Sequence, residues 1–208
     1  MEIRWLGQSA FLVRASTGTI VIDPSSLAVA SEIRDPNTLL AFSRPEDTPR
    51  EAPTGTRTLG GPGEFETGGL LVRGIGTPGE DPNVSRQINT LYCIDADGIN
   101  VVSLGSLGGS PDTHASQLTG DVDVLIVEPE HQKVSIDELA TIVRNLEPKV
   151  VALGGYDKAA SEPGKALKAL MSELGVKDVE PTNRITMTSR QGLPESRVAV
   201  VLTESTPT

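Results

Sequence analysis

The stretch that most constrains the fold covers residues 89–109, N-T-L-Y-C-I-D-A-D-G-I-N-V-V-S-L-G-S-L-G-G. It contains two apolar runs separated by the dipeptide Asp97-Gly98, and a glycine-rich segment follows the second run. A D-G step between two hydrophobic runs is a strong hairpin signal, because glycine tolerates the positive φ of a tight turn. The stretch is therefore predicted to be a β-hairpin with an irregular loop after its second strand.

The same pattern occurs earlier in the chain, in residues 9–24, S-A-F-L-V-R-A-S-T-G-T-I-V-I-D-P. At a shift of roughly 80 residues, Gly18 aligns with Gly98, Val21 with Val101, Ile22 with Val102 and Asp23 with Ser103. Two such hairpins predict a duplicated core whose loops gather at one edge. Asp23 and Ser103 are then expected at equivalent strand ends, near each other in space.

Further elements follow from hydrophobic periodicity. The apolar runs at residues 39–42, 122–127 and 150–153 are typical of buried strands. Ser135 and Glu138 form a capping box, which predicts a helix from residue 136 until Pro148. A second amphipathic helix is expected over residues 165–174, closed by a glycine. Residues 184–189 and 197–202 are predicted to form a closing hairpin.

The order of these elements indicates the fold class. Strands dominate the first half of the chain, and strands alternate with helices in the second half. This order predicts an α/β (α+β) fold, an αββα sandwich of two mixed β-sheets packed face to face with helices outside. No linker composition interrupts the chain, so residues 1–208 are predicted to form a single domain.

Composition excludes several functional classes. The net charge of −10 argues against nucleic acid as a partner and against anionic membrane surfaces. No stretch approaches the ~20 apolar residues that span a bilayer, and the start of the sequence lacks a secretory signal. A lone cysteine, Cys93, permits no internal disulfide and lies within an apolar run. These features favour a cytoplasmic protein with a buried, inert thiol.

The sequence resembles the metallo-β-lactamase superfamily, in particular its small bacterial lactonase-like branch. The resemblance covers most of the chain and rests on motifs that occur in a shared order. They are W-L-G-Q-S-A-F-L-V near the start, V-I-D-P ending at Pro24, G-P-G-E-F-E-T-G-G at residues 61–69, V-R-G-I-G-T at 72–77, I-N-T-L-Y at 88–92, D-G-I-N-V-V-S-L-G-S-L-G at 97–108, D-V-D-V-L-I-V at 121–127 and L-E-P-K-V-V at 146–151.

The resemblance implies one or two metal ions, usually zinc, held by His and carboxylate ligands where the two sheet halves meet. Zinc needs several such atoms at about 2 Å and generates hydroxide from bound water. The family motif H-x-H-x-D-H corresponds here to F-S-R-P-E-D, which starts at Phe42. The motif H-L-G-D-L-G corresponds to S-L-G-S-L-G, which starts at Ser103. The late histidine before a tyrosine corresponds to Gly155 before Tyr156.

The motif positions therefore lack every histidine ligand, and the two histidines of the chain, His114 and His131, lie elsewhere in the sequence. We interpret the chain as a metallo-β-lactamase-like protein that has lost its zinc site and works by binding, as a scaffold or as a regulator. No cofactor is expected. The resemblance also implies a homo-oligomer. The candidate residues of the vacated site are Asp23, Phe42, Arg44, Glu46, Asp47, Ser103, Ser106, Gly155 and Tyr156.

An alternative is a hydrolase with a rebuilt site. Asp23, Glu46 and Asp47 offer hard oxygen ligands, which suit Mg²⁺ or Ca²⁺ better than zinc. A metal-free version would use Ser103 or Ser106 as a nucleophile, but neither serine lies in a G-x-S-x-G elbow. Both serines are interpreted more simply as small polar replacements for metal ligands.

A further alternative concerns the ligand of a binding protein. The glycine-rich residues 105–109 precede a predicted helix start, and such a turn can present backbone N–H groups to an anion. Arg44 would supply positive charge, although no P-loop lysine is present. A small anionic ligand and a protein partner are thus both kept as hypotheses.

Overall fold

Two mixed β-sheets lie face to face in the computed structural model, which describes residues 1–24, 38–67, 69–79, 88–156, 164–177 and 179–205. The strands in chain order are β1 (Glu2–Gly7), β2 (Ala10–Arg14), β3 (Thr19–Ile22), β4 (Thr38–Phe42), β5 (Thr56–Gly60), β6 (Gly63–Thr67), β7 (Leu70–Pro78), β8 (Ile88–Ala96), β9 (Ile99–Ser103), β10 (Val124–Val127), β11 (Val150–Leu153), β12 (Ile185–Thr186) and β13 (Val198–Val201). The first sheet has the order β12-β1-β2-β3-β4-β5, and the second has the order β13-β11-β10-β9-β8-β7-β6.

Three α-helices flank the sheets in the described residues: α1 (Thr113–Leu118), α2 (Ile136–Leu146) and α3 (Lys165–Glu173). Short 3₁₀ turns cover Pro45–Asp47, Pro129–His131 and Arg190–Gly192. The α/β sandwich of two mixed sheets predicted from the order of elements is thereby confirmed. No helix in the described part of the chain combines the length and apolar character that crossing a membrane requires.

The main core lies between the sheets, because alternate residues of each strand point inward. Phe11 and Ile22 of the first sheet share this core with Tyr92, Val101 and Ile126 of the second. A separate apolar cluster joins the outer face of the second sheet to α2 and α3. Strands β3, β4, β10 and β11 are buried along their whole length, as the continuous apolar runs predicted.

The two sheets repeat one topology. Strands β1 to β5 and strands β7 to β11 are adjacent in order, and in each set two antiparallel junctions are followed by two parallel ones. The predicted alignment of the hairpins is wrong by one residue: Phe11 pairs with Ile22 as Tyr92 pairs with Ser103. Ser103 therefore corresponds to Ile22, and Asp23 corresponds to Leu104. Neighbouring residues of a strand point to opposite faces of the sheet, so an offset of one residue assigns every side chain to the wrong face. The glycines used for the alignment have no side chain and cannot reveal such an offset.

Helix α2 begins as the capping box predicted, but only half of the box forms. The Ser135 hydroxyl accepts a hydrogen bond from the N–H of Glu138 at 3.2 Å. The Glu138 carboxylate does not close the box, since it accepts from the Ser110 hydroxyl at 2.6 Å. Helix α3 ends at Gly175 as predicted. There the N–H of Val176 reaches the carbonyl of Met171, the longer bond of a Schellman motif.

The predicted closing hairpin is wrong. Strand β12 pairs antiparallel with β1 in the first sheet, whereas β13 pairs in parallel with β11 in the second. Each strand completes the edge of a different sheet, so the last part of the chain connects the two sheets. Between these two strands the chain forms the 3₁₀ turn Arg190–Gly192.

Candidate functional site

A cavity of about 620 Å³ lies at the edge where strands β3, β4, β9 and β10 end. These strands are parallel across the β3–β4 and β9–β10 junctions, so their carboxyl ends meet at this edge. Fourteen residues line the cavity: Gln8, Ser9, Asp23, Pro24, Phe42, Ser43, Arg44, Asp47, Pro49, Ser106, Glu128, Glu130, His131 and Lys133.

Asp23 directly follows β3 and is held in place by β4. Its backbone has a positive φ of 45°, its N–H donates to the carbonyl of Ala41 at 2.8 Å, and its Oδ1 accepts from the N–H of Ser43 at 2.6 Å. Burial raises the pKa of Asp23 to about 6, although the Ser43 hydrogen bonds and the charge of Arg44 act against the shift. The carboxyl group therefore titrates near neutral pH.

Glu128 directly follows β10 and is 3% exposed. Burial, reinforced by the negative charge of Asp23, raises the pKa of Glu128 well above its usual value, and Arg44 opposes the shift. Its Oε1 is buried and has no hydrogen-bond partner in the described part of the protein. A buried polar atom without a partner is unusual in a folded protein, and because Glu128 lines the cavity this oxygen is a candidate contact for a ligand or a water molecule.

Arg44 and Asp47 form an ion pair on the wall of the cavity. The Arg44 Nε donates to the Asp47 carboxylate at 2.7 Å, and both side chains are partly exposed. The pair spans the 3₁₀ turn at Pro45–Asp47, which the proline initiates after β4. Arg44 thus contributes positive potential to the cavity, but Asp47 offsets a large part of its charge.

The loop after β9 is held by two amide side chains. Asn89 accepts from the N–H of Ser106 at 2.8 Å and donates to the carbonyl of Leu104 at 2.9 Å. Gln132 accepts from the N–H of Leu107 at 2.9 Å and donates to the carbonyl of Gly105 at 2.7 Å. The N–H groups of Ser106 and Leu107 are therefore already used, and that of Gly108 donates to the carbonyl of Pro78, which leaves little support for an anion site there.

Of the residues predicted for the site, Asp23, Phe42, Arg44, Asp47 and Ser106 line the cavity. The others lie around it: Glu46 is exposed on the 3₁₀ turn, Ser103 is buried at the end of β9, Gly155 lies against Glu128, and the Tyr156 ring lies 4.6 Å from that of Trp5.

Gly155, which the family resemblance matches to the late histidine, lies against Glu128. Gly155 has a φ of 69°, and a Cβ atom built on it would lie 2.8 Å from the Cβ of Glu128. A side chain at residue 155 would therefore require a strained backbone and a shift of residue 128.

The residues present do not fit the zinc centre that the family implies. The positions matched to the ligand motifs hold a phenyl ring, a guanidinium group, two carboxylates, two hydroxyls and a glycine, which offer no imidazole. No group of three or more His, Cys, Asp or Glu side chains suited to a metal ion occurs among the described residues. The set of Asp23, Glu46 and Asp47 considered for Mg²⁺ or Ca²⁺ is accordingly not such a group.

The sequence interpretation missed Glu128, Glu130, His131 and Lys133 as cavity residues. A signal for Glu128 existed, because a carboxylate directly after a doubly covered parallel strand lies at the ligand-binding edge of a sheet. His131, interpreted from sequence as an ordinary surface or capping residue, lies half-buried on the 3₁₀ turn and lines the cavity.

Comparisons with known proteins agree with this fold. A family model described as a beta-lactamase superfamily domain matches residues 2–152. No curated protein sequence matches the chain significantly.

Among solved structures, one from Thermotoga maritima, described as a zinc-dependent hydrolase of the metallo-β-lactamase superfamily, superposes with a TM-score of 0.70 at 20% identity over 97% of both chains. A metallo hydrolase from Ignicoccus hospitalis gives a TM-score of 0.60 at 17% identity over 90% of this chain and 98% of its own. An isothiocyanate hydrolase from Delia radicum gut bacteria gives 0.64 at 8% identity over 90% and 99%. At these identities the likeness concerns the fold. Together with the family model, it shows that the chain belongs to the metallo-β-lactamase superfamily.

Proposed function

We propose that the protein is a non-catalytic member of its superfamily that binds a small ligand in the cavity where the β3, β4, β9 and β10 strands end. The observation that carries this proposal is the pairing of Gly155 with Glu128. A glutamate side chain occupies the space that a ligand side chain at residue 155 would need. The cavity is present, and the residue that the family resemblance matches to a zinc ligand has no room for a side chain unless residue 128 shifts.

The polar side chains that line the cavity support the binding of a ligand rather than metal-dependent hydrolysis. Zinc-dependent hydrolysis requires an ion that polarises the substrate and activates water. The described residues offer no group of side chains for such an ion, but they do offer buried carboxyl groups and an ion pair within one cavity. The superposed proteins from Thermotoga maritima and Ignicoccus hospitalis are described as hydrolases, and this chain shares their fold.

Hydrolysis assays test the non-catalytic claim. The protein, purified without chelator or metal-binding tag, is incubated with lactone, phosphodiester and β-lactam substrates, with and without added zinc. We expect no hydrolysis above the rate given by Asp23→Asn in either condition. Turnover that rises with zinc and is lost in Asp23→Asn would overturn the proposal.

A metal-free hydrolase is the second candidate, and the pKa of Asp23 favours it. A carboxyl group with a pKa of about 6 beside a second, more strongly shifted carboxyl group can act as a general base near neutral pH. This candidate predicts zinc-independent turnover that rises with pH around 6 and disappears in both Asp23→Asn and Glu128→Gln. Activity insensitive to both substitutions would exclude it.

Assembly is a separate prediction. The homo-oligomer implied by the family resemblance, and a protein partner, are independent of the cavity. Light scattering coupled to size exclusion gives the mass of the assembly, and a mass of one chain would contradict the homo-oligomer.

A further inference from the structure

The buried carboxylate of Glu128 lacks a hydrogen-bond donor. The side chain lines the cavity, is 3% exposed, and its Oε1 has no partner among the described residues. Leaving such an atom unsatisfied is energetically costly. A cationic donor beside this oxygen would favour the ionised carboxylate and would supply its missing hydrogen bond.

The charges that line the cavity are unbalanced. Four carboxyl groups, those of Asp23, Asp47, Glu128 and Glu130, line the cavity together with three basic side chains, those of Arg44, His131 and Lys133. Asp47 is paired with Arg44, and Glu130 accepts from the backbone N–H of Ala166 at 3.0 Å. The charge of Arg44 lowers the pKa of both Asp23 and Glu128, but burial outweighs it in each case. Asp23 and Glu128 also repel each other, since the charge of Asp23 raises the pKa of Glu128. A positive charge placed between them would relieve this repulsion.

The volume of the cavity and the side chains that line it argue against a bare metal ion as the ligand. Mg²⁺ and Ca²⁺ require at least six oxygen ligands, and no suitable group of three acidic or imidazole side chains exists in the described part of the chain. A cavity of about 620 Å³ has the volume of a site for a small organic molecule. An ammonium group carries three donors and no acceptor, which matches a surface of carboxylate oxygens.

We propose that the cavity binds the primary ammonium group of a small organic amine, with Glu128 and Asp23 as the acceptors. This inference rests on the proposed binding function and names the chemical class of its ligand. Glu128 supplies the unpartnered oxygen. Asp23 supplies the second charge and is held in position by the N–H of Ser43.

Binding of an ammonium group should release protons. Both carboxyl groups have raised pKa values in the empty cavity, mainly through burial, and a cation beside them favours their ionised forms. The enthalpy of binding measured near pH 6 should therefore depend on the ionisation enthalpy of the buffer. The dependence should be lost in Asp23→Asn and Glu128→Gln, which separates it from proton exchange at other side chains of the cavity, such as His131.

The test is isothermal titration calorimetry of the full chain with matched probes. The amines run from ethylamine to hexylamine and include 1,4-diaminobutane, and each monoamine is compared with the alcohol and the carboxylate of the same length. The variants are Glu128→Gln, Asp23→Asn and the control Asp121→Asn. Asp121 carries the same charge, and its side chain is 92% exposed on the cleft beside Arg190, away from this cavity.

We expect saturable binding of at least one amine, with proton release, and no binding of the matched alcohol or carboxylate. Glu128→Gln should weaken binding at least about tenfold, whereas Asp121→Asn should change it less than about twofold. If Glu128→Gln does not fold, Asp23→Asn gives the same comparison. Failure of every amine to bind, or equal binding in Glu128→Gln, would overturn the inference. Binding of carboxylates or alcohols instead of amines would overturn the ligand class, whereas the proposed binding function is tested separately by the hydrolysis assays above.

Discussion

The backbone N–H of Ser16 donates hydrogen bonds to both carboxylate oxygens of Asp97, at 3.0 and 3.1 Å, and the Ser16 hydroxyl donates to the same carboxylate at 2.6 Å. The two residues lie in the turns of the equivalent hairpins β2–β3 and β8–β9, which belong to different sheets. Hydrogen bonds between these two turns thus link the repeated halves of the fold. The Ser16 hydroxyl bond is the largest cause of a lowered pKa of Asp97.

Asp97→Asn should therefore destabilise the protein, although asparagine is favoured at this position of the turn. Residues 97 and 98 both have positive φ, and Asn-Gly is the preferred sequence for such a turn. Loss of the charge should still lower the free energy of unfolding by about 1 kcal/mol. Because the pKa of Asp97 is lowered by folding, its contribution is present above the unfolded pKa and is lost as pH falls through the folded pKa. Denaturant melts should show the difference at neutral pH and its disappearance in acid. Equal or higher stability of the variant at neutral pH would contradict this role.

Ser135→Ala should lower the free energy of unfolding by about 1 kcal/mol, because the N–H of Glu138 loses its acceptor at the start of α2. The urea midpoint should fall at an unchanged slope. Thr141→Ala is the matched control, since Thr141 lies within the same helix, where its hydroxyl donates back to the carbonyl of Asp137 and accepts a long bond of 3.4 Å from Arg144. A loss of stability in both variants alike would mean that the cap has no special role.

Gly155→Ala should cost clearly more than Gly120→Ala. Both glycines have positive φ, 69° and 66°, so an alanine at either site carries a backbone penalty of about 1–2 kcal/mol. Only at residue 155 does the added Cβ also meet a neighbour, at 2.8 Å from the Cβ of Glu128, which adds overpacking of about 1–3 kcal/mol. Chemical denaturation of both variants measures the difference. Equal losses would show that residue 155 has room for a side chain.

The stability of the protein should fall between about pH 4 and pH 7 through Asp23. Folding raises the pKa of Asp23 from 3.8 to about 6, so the folded state holds the proton more tightly than the unfolded chain. Its contribution is fully present below the unfolded pKa and is lost as pH rises through the folded pKa, with a limit of about 3 kcal/mol. Asp23→Asn keeps the shape and the Ser43 contact but does not titrate. The difference between the two proteins across this range isolates Asp23, and a difference independent of pH would refute the raised pKa.

Local signals in the sequence predicted most of the fold. The buried strands, the Asp97-Gly98 turn, the Ser135 cap and the glycine after α3 each depend on a few neighbouring residues, and the structure has them all. The errors concern pairing over long distances. The hairpin offset was wrong by one residue, and β12 and β13 belong to different sheets because each finds an edge formed by residues far away in the chain.

The candidate site was predictable where motifs of the family mark its edge, as at Asp23, Arg44 and Ser106. Glu128 was missed because the apolar run before it predicts only a buried strand, and because Glu128 belongs to none of the family motifs. Its importance comes from the adjacency of Gly155 and the charge of Asp23, two relationships that the fold creates between distant residues.

The metal content of the purified protein tests the central claim most directly. Untagged protein prepared without chelator is analysed for zinc per chain, and its thermal midpoint is measured with zinc and with EDTA. Because the ligand positions offer no imidazole and hold the fixed charge of Arg44, we expect far less than one zinc per chain and an unchanged midpoint. One zinc per chain, with a midpoint that falls in EDTA, would contradict the account of a binding protein without the metal centre of its superfamily.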